Sequence, residues 1–130
     1  MARMSMYHEV DPKHEIMDKF GDLADIDVFH NLILVATYLR PEKTKGGLIL
    51  TDKTRKEDEY QGKVGLVIKK GPMAFVDDDR IQFNGQNVEV GDWVTYRFSD
   101  GLPLEIDGVH CRLIEDSHVK LRVSSPDIVL

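Results

Sequence analysis

Nucleophiles, bases and metal donors are few and scattered in this chain of 130 residues. The five histidines stand at positions 8, 14, 30, 110 and 118, and the single cysteine is Cys111. His110 and Cys111 are adjacent, but the pair lacks the further Cys or His that zinc spacing needs. Gly46-Gly47, Gly62 and Gly65 are not followed by Gly-Lys-Ser/Thr and open no helix, so they make no phosphate loop. Ser99, Ser117, Ser124 and Ser125 have no nucleophile-elbow sequence around them. The chain is therefore read as no enzyme, with no metal and no cofactor, and its work is expected to be binding.

The candidate for that work is Gly46-Gly47-Leu48-Ile49-Leu50. Three large aliphatics stand between a glycine pair and a polar run, Lys53 to Glu59, that holds no apolar residue. Such a run buries too little surface to offset the entropy of ordering it. The stretch from about Pro41 to Glu59 thus reads as a long flexible loop with a greasy tip, and loops of that length are usually functional. Burying three aliphatic side chains is worth a gross ~5–9 kcal/mol before ordering is counted. One such loop docks weakly, but several on one assembly dock strongly through effective concentration. The plainer alternative is that Gly47 to Thr51 is an ordinary strand within its own fold.

The elements that must position this segment follow from composition and pattern. Lys+Arg number 17 against 23 Asp+Glu, a formal net charge of −6, which argues against a nucleic-acid surface. That charge also disfavours an oligonucleotide-binding barrel. With 42% hydrophobic and 31% charged residues, the length fits one soluble domain. A lone cysteine fits a reducing compartment, and no apolar stretch approaches the ~20 residues of a membrane span. The N-terminus has no uninterrupted apolar core of the secretory kind, so a cytoplasmic chain is expected.

Asp11-Pro12 is a helix opening, Ile16, Met17 and Phe20 recur at helical spacing, and Gly21 can end the run, which predicts a short helix over 12–20. Its apolar face is expected on the chain's own fold, on a neighbouring copy, or on a docking partner. Residues 1–10 read as an extended arm. From Val28 the pattern turns to β: Leu32 to Tyr38 predicts a strand buried on both faces, and Val64, Leu66 and Ile68 one face of another. Met73 to Gln86 reads as a hairpin-like excursion carrying Asp77-Asp78-Asp79. Trp93 to Phe98 reads as a strand with both aromatics in the core. Asp107-Gly108 between alternating runs signals a tight hairpin. His118 to Val123 reads as a last strand, followed by a tail from Ser124. Short strands at this spacing predict an all-β barrel or sandwich.

Five segments in order carry a resemblance. These are Leu32-Ile33-Leu34-Val35, Pro41 to Thr51, Gln61 to Pro72, Val88-Glu89-Val90-Gly91-Asp92-Trp93-Val94, and the last hairpin with the strand after it, Ile106-Asp107-Gly108-Val109 and Leu113 to Val119. Together they resemble the GroES-type co-chaperonins over about residues 27–123. The resemblance implies a small, partly open β-barrel (28–123) with a mobile loop at about 41–59 and a roof hairpin at about 73–86. It implies a homo-oligomeric, seven-membered ring that caps an ATP-driven, GroEL-type chaperonin and encloses a substrate protein. Leu48, Ile49 and Leu50 would be the docking tripeptide, with Gly46 and Gly47 as its hinge.

Residues 1–27, with their short helix, and the tail 124–130 go beyond the usual pattern. Such additions look more like a phage-encoded member, acting in host cytoplasm, than a housekeeping one. They also raise an alternative: a virion decoration or cement protein on the same barrel, gripping the major capsid protein with its N-terminal arm and helix (Ile16, Met17, Phe20).

Overall fold

The computed structural model describes residues 11–39 and 63–129. Helix α1 (Pro12–Lys19) opens as its sequence dictates: the Asp11 side chain accepts from Lys13 N–H, and Pro12 occupies a first-turn position where no intrahelical donor is needed. Phe20 turns extended and closes the helix, and a 3-10 turn (Leu23–Asp25) follows under the Asp22 side-chain cap.

Six strands follow among the described residues: β1 (Leu32–Thr37), β2 (Val64–Lys70), β3 (Trp93–Thr95), β4 (Leu102–Ile106), β5 (Val109–Glu115) and β6 (Leu121–Val123). They form one antiparallel sheet in the order β4-β5-β1-β2-β3-β6, which is not closed. The chain is all-β with one short helix, as expected. β1 is flanked by β5 and β2 and has an apolar cluster on each face, which explains its unbroken aliphatic run: Ile33 to Ala36 are fully buried. Asp107 and Gly108 have φ of 53° and 78°, the left-handed pair that a two-residue β4–β5 hairpin requires. Pro103 lies in the terminal strand β4, where a missing N–H leaves no central ladder broken.

The core has two halves, one on each face of the sheet. The first holds Leu34, Ala36, Tyr38, Val64, Leu66, Ile68, Trp93, Val109 and Cys111, joined by Phe20. The second holds Ile33, Val35, Val67, Val94, Tyr96 and Ile114, joined by Val88.

Three expectations need correction. Met73 to Gln86 forms turns instead of paired strands. Its polar side chains satisfy the backbone in place of a ladder: Asp78 accepts from the N–H groups of Arg80 and Ile81, and Asp77 from that of Phe83. β3 stops at Thr95, and Phe98 is 54% exposed, because the chain turns through Arg97–Asp100 instead of continuing the strand. β6 begins only at Leu121, since Asp116–His118 are taken into a 3-10 turn.

Candidate docking site

The tripeptide Leu48-Ile49-Leu50 and its hinge Gly46-Gly47 lie outside the described residues, as do Tyr60 and residues 1–10. What the fold does fix is the root from which segment 40–62 leaves and to which it returns. β1 and β2 are antiparallel neighbours, with Thr37 opposite Gly65. Beyond that pair the ladder continues: Tyr38 N–H donates to the Val64 carbonyl at 2.9 Å, and Tyr96 N–H to the Lys63 carbonyl at 3.0 Å. Gly65 lets the strands close up there: a Cβ would stand 3.0 Å from both the Tyr96 ring and Val35, so those neighbours would have to shift. The Tyr38 ring is buried and meets Trp93 edge-on, with centroids 5.6 Å apart at 78°. The segment therefore springs from a rigid corner of the sheet.

The N-terminal candidates are placed differently. Phe20 is buried within the chain's own first face, and Ile16 and Met17 pack half-buried against the same cluster, together with Leu23, Ile26 and Val28. Two polar ties hold this strap. Asp107 of the hairpin accepts from Gly21 N–H at 2.8 Å, and the Lys69 ammonium donates to the carbonyls of Leu23 and Ile26. The apolar side of α1 is thus half-covered by its own sheet, and the residue that is buried there is Phe20, just past the helix.

The C-terminal tail, expected only as an extension past the last strand, is an ordered turn packed on the sheet. Ser125 Oγ accepts from Asp127 N–H, Pro126 is buried, and the 3-10 turn Pro126–Ile128 brings Val129 onto the first face. The same turn delivers Asp127 Oδ1 to within 2.9 Å of the Tyr38 hydroxyl. The signal was present: a small polar capping residue before proline, the same opening that starts α1.

Burial pushes the Cys111 thiol up to about 12, which removes it as a nucleophile at neutral pH. Asp100 is held below the usual carboxylate value: burial raises it, but hydrogen bonds from the Arg97 side chain and N–H outweigh that. Among the described residues no three His, Cys, Asp or Glu are grouped to hold a metal, and no helix is long and apolar enough to cross a membrane.

Comparison with known proteins adds what geometry leaves open. The family described as the chaperonin 10 Kd subunit matches residues 25–121. The chain belongs to the GroES co-chaperonin family. Co-chaperonin GroES of Methylorubrum populi is 33% identical over 90 residues, covering 69% of this chain and 88% of that protein. Co-chaperonin GroES 5 of Rhizobium meliloti is 37% identical over 90 residues, covering 69% and 81%. The protein of the same name from Methylobacterium radiotolerans is 33% identical with the same coverage as the first. The GroES match takes in all of β1 to β5 and the root of segment 40–62. It leaves out Ile16, Met17, Phe20 and Leu23 at one end and Val123, Pro126, Asp127 and Val129 at the other. These outlying residues are laid over the first face, beside Ile26, Val28, Ile106 and Leu113 from inside the match, or turned back toward the root.

Proposed function

We propose that this GroES-family chain is a co-chaperonin lid: copies of it form a ring that caps an ATP-driven, GroEL-type chaperonin and encloses a substrate protein in the cytoplasm. The observation that carries the reading is the family match across 25–121, within which Gly46-Gly47-Leu48-Ile49-Leu50 falls on a segment rooted at two adjacent strands. In this mechanism Leu48, Ile49 and Leu50 insert into apolar grooves on the chaperonin, with Gly46 and Gly47 as the hinge. The lid performs no bond chemistry of its own. Each tripeptide contributes a gross ~5–9 kcal/mol, most of it offset by ordering, so a single copy binds weakly. Joining several copies in one ring makes the later dockings intramolecular and the whole attachment tight.

A ring also suits the sheet. β4 and β6 each pair on one side only among the described residues, and Leu102 and Leu104 on the first and Leu121 on the second are exposed. Two unlike edges meeting head-to-tail generate a closed ring when the rotation permits, seven-membered in this reading. The alternative of a virion cement protein gripping through Ile16, Met17 and Phe20 has less support, since Phe20 is buried in the chain's own first face and Ile16 and Met17 pack partly against it.

The test is incubation with a GroEL-type chaperonin and ATP, with imaging for capped complexes and native mass spectrometry for the ring. Replacing Leu48, Ile49 and Leu50 together with Ser is expected to abolish capping while leaving the ring mass unchanged. Capping that persists in the triple variant would sink the mechanism.

A further inference from the structure

We propose that the C-terminal tail is a clasp on the root of the docking segment, with Asp127 acting as a positioning residue through Tyr38. This inference rests on the co-chaperonin reading above. Tyr38 is the first residue beyond β1, and the interactions that hold it include its N–H on the Val64 carbonyl, its ring on Trp93, and its hydroxyl on Asp127. The first two come from the sheet. The third comes from 89 residues away in sequence, from a turn that exists because Ser125 caps it and Pro126 is buried. Val129 then anchors the turn on the first face.

The clasp lies beyond the family match, which ends at residue 121. It touches the matched frame at the corner where segment 40–62 begins. Its effect follows from the entropy of tethered docking. When a tethered apolar tripeptide docks, every loose torsion in its root must also be fixed, and that ordering subtracts from affinity. A root already pinned by a hydrogen bond and a packed ring has less to lose. Because a ring repeats the docking event, a small gain at each root multiplies across the copies.

The test uses the full-length chain. Asp127→Ala and Tyr38→Phe each remove the hydroxyl–carboxylate bond, whereas Asp127→Asn keeps an acceptor oxygen. Hydrogen exchange at the Tyr38 amide is expected to speed about three- to tenfold in the first two variants and to stay near wild type in Asp127→Asn. The amides of Ile33 and Ala36 are expected to keep their wild-type rates. Binding to a GroEL-type chaperonin with nucleotide should weaken at least about threefold in Asp127→Ala and Tyr38→Phe, with a loss in the double variant clearly smaller than the sum of the two. Asp127→Asn should restore it. Equal docking by wild type and Asp127→Ala overturns the clasp while the co-chaperonin reading stands. Faster exchange throughout β1 also overturns it, since Asp127 would then serve general stability. If the wild-type chain does not dock at all, the co-chaperonin reading fails, and the clasp with it as an aid to docking.

Discussion

The two faces of the sheet are covered by material of different origin. The second face, with Ile33, Val35, Val67, Val94 and Ile114, is closed by Ala74, Phe75, Val88 and Val119, all inside the stretch that matches the GroES family. The first face, with Leu34, Leu66, Ile68, Trp93 and Cys111, is closed in large part by Ile16, Met17, Phe20, Leu23, Val123 and Val129, all outside it. The fastenings differ too. The second face's cover is tied by the carboxylate of Asp116, which is buried and accepts from Phe75 N–H at 3.0 Å, Ser117 N–H at 2.7 Å and the Asn31 amide at 3.2 Å. The first face's cover is tied by the hairpin's Asp107 to Gly21 and by Lys69 to two backbone carbonyls. One face thus has its cover inside the family match, and the other has a strap that lies largely outside it.

The largest expected effect tests whether the strap is structural. Phe20 is 8% exposed and sits in the first-face core, so Phe20→Ala should destabilise the fold by about 3 kcal/mol in urea unfolding, leaving the urea slope unchanged. A loss below about 0.5 kcal/mol, typical of surface sites, would mean that the strap merely rests on the sheet and that the comparison between faces is empty.

A somewhat smaller effect is expected at the other cover. Asp116→Ala removes one acceptor group and leaves the Phe75 N–H and the Asn31 amide without it, a change worth about 2 kcal/mol. Phe75 is held at a φ of 61°, a strained value for an aromatic residue, so the loss should be concentrated in 71–88. Hydrogen exchange would show that stretch opening before β1 or β5. If the whole sheet opened together, the roof would not be a separable cover.

The two covers also mark how far the sequence could be read. The sheet was legible because its signals are local: the Leu32–Thr37 run can only be a doubly buried strand, and Asp107-Gly108 can hardly be anything but a tight hairpin. The α1 boundaries followed from Asp11-Pro12 for the same reason. Met73 to Gln86 misled because side-chain-to-backbone bonds from Asp77 and Asp78 replace the strand ladder, and no periodicity announces such a substitution. Phe98 misled because aromaticity says nothing about where a strand stops. The partner of Tyr38 was invisible, since a contact across 89 residues leaves no trace in spacing. The docking tripeptide was picked out by contrast with its charged surroundings, a compositional signal that needs no fold.

The smallest effect provides the finest probe of the strap. Cys111 lies on the first face, on the strand that follows the hairpin whose Asp107 holds Gly21. Burial, with a smaller push from Asp107, raises its thiol to about 12 from an ordinary 9.0. The folded state therefore favours the protonated thiol: that contribution is intact below about pH 9 and is lost as the pH climbs toward 12. At pH 8 the thiolate fraction falls from ~10% to ~0.01%, so alkylation by iodoacetamide should run on the order of a thousandfold slower than in the unfolded chain. Any labelling seen in native buffer then reports opening of the first face. Phe20→Ala should raise that rate by the factor by which it loosens the strap, whereas Asp116→Ala, acting on the opposite cover, should leave it near the wild-type value. Equal acceleration by both variants would show that the two faces open as one unit, because a thiol shielded only by the strap cannot respond to a change in the roof.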